Sequence, residues 1–300
     1  MLNRFSTRRH VWAVLNIVLY LAIPGVANAA ASVCKAPLAK NIPSRSIEAL
    51  PGSVVMSRLG EASGSKRDMA IQDELLGGNL PSFLHELVPV TLTGTLSTGR
   101  KILVTLCVTP EYLAVGSDRD FVRVPLGLAA AARIASDFGF LLPTTKMVDA
   151  IYQQASVKVS PSPMSPTSQM TSTSYFLAHN LTVQQQLTQV GGTRSELSAG
   201  HKKDLVLSNR LNSKPGRVAI YGWHRPNGKP IQPLSTVHGD EYADYSHGVR
   251  LVSRMAYVNG EPRALNEILQ AKTLSSIVSS EGPIENADGL LQTYASKATN

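Results

Sequence analysis

Short apolar runs bounded by turn residues lie on both sides of an alanine-rich helical pattern, and this order most constrains the fold. Lys101 to Thr109 and Gly248 to Tyr257 have the β-branched and apolar composition of strands. Between them, Leu128 to Phe138 has helical spacing and ends at Gly139, and a second helix is expected to open at Thr144. We predict an α+β fold with a mainly antiparallel sheet and a helical pair in the N-terminal half.

Further local signals lie outside this pattern. Tyr175 to Gln189 is predicted to be a helix, Arg217 to Trp223 a strand, and Asn227-Gly228 the turn of a hairpin. A short helix is expected from Leu265 to Leu269, followed by a polar tail, and Gly60 to Lys66 is expected to be flexible.

The first 29 residues have the features of a cleaved export signal. Arg4, Arg8 and Arg9 precede an apolar stretch, and Ala27-Asn28-Ala29 is a small-x-small cleavage site. No later stretch approaches the roughly 18 consecutive apolar residues that a spanning helix needs. We therefore expect a secreted or periplasmic protein without a stable membrane anchor.

The charge of the chain is mildly positive. Loss of three arginines with residues 1–29 would reduce the formal net charge from +8 to +5. The basic residues are scattered, and no aromatic-basic motif for nucleic acid is present. The net positive charge favours contact with anionic envelope polymers, and the scattered basic residues give no support to nucleic-acid binding.

The chain has two cysteines, Cys34 and Cys107. In an oxidising compartment the favoured interpretation is one disulfide. A free nucleophilic thiol is the alternative, but no residue near Cys107 is placed to lower its pKa.

A run rich in proline, serine and threonine divides the chain. It covers residues 160–174 and favours extended, solvated backbone. We predict an N-terminal strand and helix region at 30–159, this connection, and a histidine-rich, β-dominated region at 175–300. One continuous domain is the alternative.

Four of the seven histidines lie between residues 201 and 247, interleaved with carboxylates and tyrosines. Histidine titrates near neutral pH and can act as acid, base or metal ligand, so this local excess predicts a reactive site. The candidate catalytic residues are His201, Asp204, His224, His238, Asp244, Tyr245 and His247, with Asp240 as a further carboxylate. The candidate substrate-binding residues are Tyr221, Trp223, Arg225 and Arg250.

The geometry of the 238–247 connection bears on how these groups can act. If the backbone from Asp244 to His247 is extended, Asp244 and Ser246 share one face while Tyr245 and His247 share the other. A divalent metal is possible, although no His-x-His or His-Glu-x-x-His spacing occurs.

The segment Ser246-His247-Gly248-Val249-Arg250-Leu251 resembles the Ser-His-Gly-Cys-x-Arg/Asn-Leu signature of the L,D-transpeptidases, which crosslink peptidoglycan. His238-Gly239 precedes it, as a similar pair does in that family. Valine stands at position 249 where the family has its catalytic cysteine, so the resemblance does not support cysteine acyl transfer.

A larger part of the chain is similar to an uncharacterised group of secreted bacterial proteins. The shared segments include Gly200-His201-Lys202-Lys203-Asp204, Tyr221-Gly222-Trp223-His224-Arg225-Pro226 and Asp244-Tyr245-Ser246-His247-Gly248. This resemblance implies export and no particular activity.

Together these features predict a secreted hydrolase or related enzyme that acts on a cell-envelope or extracellular polymer, such as peptidoglycan or polysaccharide. The alternative is a non-catalytic polysaccharide-binding protein whose aromatic side chains stack on sugars. Tyr221, Trp223, Tyr242 and Tyr245 would form that surface. Reaction type, substrate, metal dependence and oligomeric state stay open at this point.

Overall fold

The computed structural model describes residues 33–34 and 38–299. The predicted export signal lies outside these residues and stays a prediction. Within residues 33–34 and 38–299, no helix has the length and apolar character needed to cross a membrane.

The secondary structure consists of short strands and helices. The strands are β1 (Val88–Thr95), β2 (Lys101–Val108), β3 (Ala114–Gly116), β4 (Phe121–Arg123), β5 (Phe140–Leu141), β6 (Val157–Lys158), β7 (Ser198–Ala199), β8 (Lys203–Leu205), β9 (Ile220–His224), β10 (Pro230–Ser235), β11 (His247–Gly248), β12 (Val252–Val258) and β13 (Glu261–Ala264). The helices are α1 (Gly52–Leu59), α2 (Gly64–Leu76), α3 (Leu128–Phe138), α4 (Thr145–Gln154), α5 (Thr173–Val190), α6 (Arg210–Ser213), α7 (Leu265–Gln270), α8 (Ser275–Val278) and α9 (Ala287–Ala295). Short 3₁₀ helices cover Ser82–His85, Ser168–Thr171 and Ser296–Thr299.

The larger sheet is antiparallel and has the strand order β1-β2-β12-β13, with β5 paired to β12. Ile102, Val104 and Leu106 of β2 are buried at alternate positions, as expected for a strand with one face on the core. The α+β fold with a mainly antiparallel sheet is therefore confirmed.

The smaller sheet has the order β10-β9-β8-β11. The predicted Asn227-Gly228 turn joins β9 to β10 in an antiparallel hairpin. β8 pairs antiparallel with β9 but parallel with β11, so the chain returns to the sheet after a long excursion. This sheet carries five of the predicted site residues, namely Asp204, Tyr221, Trp223, His224 and His247.

The predicted helical pair is present as α3 and α4. Gly139 ends α3 in a left-handed conformation with φ +81°, which glycine adopts at little cost. The side chain of Thr144 accepts a hydrogen bond from the Met147 N–H and caps the start of α4. The second helix thus begins where the sequence indicated.

Two local expectations are wrong. Gly60 to Lys66 is only partly irregular, because α2 begins at Gly64. The segment after α7 is not an irregular polar tail, since it forms α8 and α9 and buries Leu291 and Tyr294. The buried residues of α9 fall on one helical face, which packs on the core.

Both predicted regions contribute to the larger sheet, with β1, β2 and β5 from the first and β12 and β13 from the second. The residues between them also pack on the core. The N–H of Met164 donates to the Tyr245 hydroxyl at 2.8 Å, and the N–H of Tyr245 donates to the Met170 carbonyl at 3.0 Å. The proline-rich connection is therefore held against the C-terminal region.

Cys34 and Cys107 form the predicted disulfide, with a sequence separation of 73. Both cysteines are buried, and Cys107 lies in β2. The bond attaches the start of the described chain to a central strand.

Removal of this disulfide should lower the free energy of unfolding by roughly 4 kcal/mol, because the cross-link closes a long loop in the unfolded chain. Urea unfolding of the wild-type protein and of a Cys34→Ser/Cys107→Ser variant measures the difference. A reductant should lower the urea midpoint of the wild-type protein and leave the midpoint of the variant unchanged. Equal midpoints for the two proteins would contradict the expectation.

Candidate functional site

The smaller sheet sets the positions of the predicted site residues. Lys203 in β8 lies opposite His247 of β11 on one side and Gly222 of β9 on the other. Asp204 lies opposite Gly248 and Tyr221 in the same way. Residues that are 17 to 44 positions apart in sequence therefore become neighbours.

A tight turn precedes β11. The Asp244 carboxylate accepts hydrogen bonds through Oδ1 from the Ser246 N–H at 2.8 Å and from the Ser246 hydroxyl, and the Asp244 carbonyl accepts from the His247 N–H at 3.0 Å. An aspartate that bonds the backbone two residues on is a typical turn former. The extended backbone considered for this segment is not what forms, so Asp244 and His247 lie on the same side.

The other oxygen of Asp244 is where polar groups converge. Asp244 Oδ2 accepts a hydrogen bond from the Tyr242 hydroxyl at 3.3 Å. It lies 3.7 Å from Lys203 Nζ and 3.9 Å from His247 Nε2. Lys203, His238, Tyr242, Asp244 and His247 are called the Asp244 group below.

His238 forms the outer part of the Asp244 group. Its ring stacks on that of Tyr242 with centroids 4.0 Å apart, and the Tyr242 ring is in turn 5.7 Å from His247. His238 and Tyr242 are half-buried, whereas Asp244 and His247 are buried. The group thus has a buried carboxylate–imidazole pair beneath a layer that reaches solvent.

The surroundings fix the protonation states in this group. Burial lowers the pKa of His247 to about 4 against the opposing effect of Asp244, and the positive charge of Lys203 also lowers it. Burial alone would raise the pKa of Asp244, but His247, Lys203 and the hydrogen bonds from Ser246 bring it below its ordinary value. Burial and Asp244 raise the pKa of Tyr242 to about 12. At neutral pH the group combines a neutral imidazole, a carboxylate and a protonated phenol.

His247 is also short of partners. It is fully buried, and neither ring nitrogen has a hydrogen-bond partner among the described residues. Buried polar atoms are nearly always hydrogen-bonded, so this ring is available to an additional molecule such as water or a substrate group.

Trp223 contacts the Asp244 group through Lys203. Its φ of +59° is in the left-handed region, where a bulky residue is rare, and strained residues of this kind cluster at functional sites. Lys203 Nζ lies 5.1 Å from the centre of the indole ring, close enough for a cation–π contact. With 5% exposure, Trp223 presents no open ring face for a sugar.

Lys202 and His179 form a buried contact outside the Asp244 group, and the sequence analysis did not predict it. Lys202 Nζ donates to the Tyr245 carbonyl at 2.6 Å and lies 3.3 Å from His179 Nδ1. Burial lowers the pKa of Lys202 to about 7, and Arg123 adds to this effect. Tyr245, a predicted catalytic residue, is 2% exposed, and its hydroxyl is occupied by the Met164 backbone.

His201 belongs to a different group. Its Nε2 lies 2.9 Å from Glu111 Oε1, while Glu111 Oε2 accepts from Arg123 Nη2 at 2.7 Å. Arg123 also donates to Asn180 Oδ1 at 3.1 Å. The sequence offered no signal for Glu111 or Arg123, because both lie about 80 to 90 positions before His201 and only the fold brings them together.

Asp204 and Arg250 are likewise held inside the protein. Tyr112 donates to Asp204 Oδ2 at 3.0 Å, and burial raises the pKa of Asp204 to about 7. Arg250 is fully buried, donates to the carbonyls of Thr109 and Ser198 at 2.9 and 2.6 Å, and stacks over Tyr112. Its guanidinium joins parts of the chain that are remote in sequence, which is a structural role.

His224 lies in an open cleft with a volume of about 560 Å³. Its Nε2 is 2.8 Å from Asp149 Oδ1, which also accepts from the Tyr221 hydroxyl at 2.9 Å. The Tyr152 ring stacks on His224 at 4.5 Å, and the Arg225 side chain next to it is exposed. Asp149 and Tyr152 come from α4 and were not predicted.

The structure therefore divides the four predicted histidines among three places. His238, Asp244 and His247 lie in the Asp244 group, His201 lies with Glu111, and His224 and Tyr221 lie in the open cleft. Asp240 is separate, with Lys297 Nζ at 2.9 Å from its carboxylate. Within residues 33–34 and 38–299, no three histidine, cysteine or carboxylate side chains are grouped as a metal site requires, and the divalent metal stays a prediction.

The chain matches no family model, no curated protein and no solved structure.

His179→Gln should make stability less sensitive to acid. Burial, together with the positive charges of nearby groups such as Lys202 and Arg123, lowers the pKa of His179 to about 2. The unfolded chain binds a proton at this residue below about pH 6.5, and the folded protein does not, so acid favours unfolding. Between pH 7 and pH 5 this residue should reduce the free energy of unfolding by about 2 kcal/mol.

Urea unfolding at the two pH values measures the effect as a difference between wild type and variant. His85→Gln serves as the control because His85 is only half-buried and has a smaller burial effect. An equal loss of stability in the wild type and in His179→Gln would contradict the prediction.

Proposed function

We propose that this protein is an exported enzyme, a hydrolase or a related acid–base catalyst, and that the Asp244 group is its reactive site. One observation carries the proposal: a hydroxyl, an ammonium and an imidazole converge within 3.9 Å of a single carboxylate oxygen of Asp244. Titratable groups whose surroundings shift their pKa values in opposite directions are typical of acid–base sites.

Each residue of the group has a separate proposed role that follows from its protonation state. The neutral imidazole of His247 can take a proton from a water that attacks the substrate, and the nearby negative charge of Asp244 stabilises the imidazolium that forms. The Tyr242 hydroxyl stays protonated at neutral pH and can donate a proton to a leaving oxygen. The positive charge of Lys203 keeps Asp244 ionised beside the imidazole.

The proposed substrate is a cell-envelope or extracellular polymer, peptidoglycan or polysaccharide. The half-buried layer of His238 and Tyr242 supports it, because a chain too large to enter a closed cavity can reach this surface. The export signal predicted at residues 1–29 and the excess of basic residues support this choice of substrate, because an exported basic protein would meet anionic envelope polymers.

Asp244→Asn and His247→Gln should each lower the rate of polymer hydrolysis by at least about 100-fold, since a positioned general base contributes 10²–10⁴-fold. The measurement is release of soluble fragments from labelled peptidoglycan and from a panel of polysaccharides by the purified protein. His85→Gln, which changes a histidine outside the group, should keep the wild-type rate.

Circular dichroism should show that each variant is folded before its rate is compared. Wild-type turnover that persists in both variants would refute the assignment of the Asp244 group. The absence of turnover by the wild type on all of these polymers would refute the proposed hydrolase.

The second candidate function is non-catalytic polysaccharide binding, and the 560 Å³ cleft favours it. Tyr152, Tyr221 and His224 line this cleft together with Lys158 and Asn227, a mixture of rings and hydrogen-bonding groups that suits a sugar. Tyr221 and Tyr242 are half-buried, whereas Trp223 and Tyr245 are buried, so a sugar-binding surface would not use the latter two.

Tyr221→Ala should weaken polysaccharide binding by about three- to tenfold if this cleft is the binding site, because one ring contact and one anchoring hydrogen bond are lost. Tyr257→Ala is the matched control, a half-buried tyrosine in the larger sheet. Co-sedimentation with insoluble polymer measures affinity. Binding without turnover that is insensitive to Asp244→Asn would favour this function over the hydrolase.

A further inference from the structure

A second cleft, separate from the Asp244 group and from the cleft of His224, lies between α5 and the turn at residues 192–196. Its volume is about 240 Å³, below the roughly 300–1,000 Å³ typical of sites for drug-sized ligands. Glu111 and Arg123 form part of its lining on the inner side, and Arg194 and Glu196 at the outer side.

Arg123 is the unusual residue of this cleft. It is 1% exposed, and two of its nitrogens are used by Glu111 and Asn180. Its Nε has no hydrogen-bond partner among the described residues. A buried guanidinium with a spare donor beside a cavity is suited to an acceptor that enters from the cavity.

A second guanidinium stands nearby. The Arg194 guanidinium lies 5.1 Å from the centre of the Phe121 ring, and that of Arg123 lies 5.0 Å from the same ring. Arg194 is exposed and is paired with no carboxylate among the described residues. Both guanidinium groups therefore lie close to the Phe121 ring, that of Arg123 buried and hydrogen-bonded and that of Arg194 exposed.

The carboxylates of the cleft limit the charge of that ligand. Glu111 is already bonded to Arg123 and His201, and Glu196 accepts from the N–H and hydroxyl of Thr193. With two arginines and two glutamates the lining is neutral overall, which disfavours a doubly charged phosphate. Phe83, Phe121 and Leu187 add apolar surface for an uncharged portion of the ligand.

We propose that this cleft binds a single amino-acid-sized carboxylate, either a free amino acid or the C-terminal residue of a peptide. The carboxylate lies between Arg123 Nε and the Arg194 guanidinium, and the side chain rests against Phe83, Phe121 and Leu187. The proposal does not depend on the function of the Asp244 group.

The test is a titration of the full-length protein with racemic N-acetylleucine, its amide and inorganic phosphate, followed by isothermal calorimetry. The acid should bind saturably, and the amide and phosphate should bind at least about tenfold more weakly, because each lacks either the charge or the shape that a bidentate arginine contact needs. Free leucine and glycyl-glycyl-leucine distinguish the two sources of the carboxylate.

Arg194→Gln should weaken binding of the acid by about tenfold, since one charge-assisted contact is lost. Arg133→Gln is the matched control, an arginine paired with Asp137 on the surface of α3. Arg194 is exposed, so its replacement should leave the unfolding transition unchanged.

A lack of saturable binding by the acid overturns the proposal. So does equal affinity for acid and amide, tighter binding of phosphate, or wild-type affinity in Arg194→Gln.

Discussion

The carboxylate of Glu111 is ionised and buried, and the fold around it provides the donors that make this possible. It accepts hydrogen bonds from Arg123 at 2.7 Å and from the N–H of Tyr112 at 2.8 Å, and His201 Nε2 lies at 2.9 Å. Burial opposes the charge, but Arg123 and His201 outweigh it and hold the pKa of Glu111 well below its ordinary value. Glu111 lies in the loop before β3, Arg123 in β4 and His201 in the segment before β8. Because an unpaired buried charge costs several kcal/mol, these three segments are stable only when they pack together.

The same interior contains polar atoms that the described residues leave without partners. They include both nitrogens of His247, Nε2 of His179 and Nδ1 of His201. Folding stability alone gives no reason to bury three such rings, since each lost hydrogen bond is unfavourable. Each of these rings lies beside a charged or titratable group: His179 beside Lys202, His247 beside Asp244, and His201 beside Glu111.

The sequence was sufficient where the information is local. The helices α3 and α4 follow from spacing and from Gly139 and Thr144, and the β9–β10 hairpin follows from Asn227-Gly228. Histidine density pointed to a segment from which His238 and His247 reach the Asp244 group.

The remainder depends on contacts that no local pattern encodes. Glu111, Asp149 and His179 approach the predicted residues only after the sheets form. The helix α9 was missed because it is short and lies within a segment rich in serine and other polar residues. The parallel pairing of β8 with β11 also has no local signal, since two short strands about 40 residues apart meet edge to edge.

The position of β2 has a consequence for the integrity of the chain. It is hydrogen-bonded to β1 on one side and to β12 on the other, and β12 lies some 150 residues later. A chain that stops in the proline-rich connection would leave one side of β2 as a bare row of N–H and C=O groups, a template for pairing with other chains. Proteolytic cutting in that connection therefore separates two fragments that each need the other to cover a strand edge.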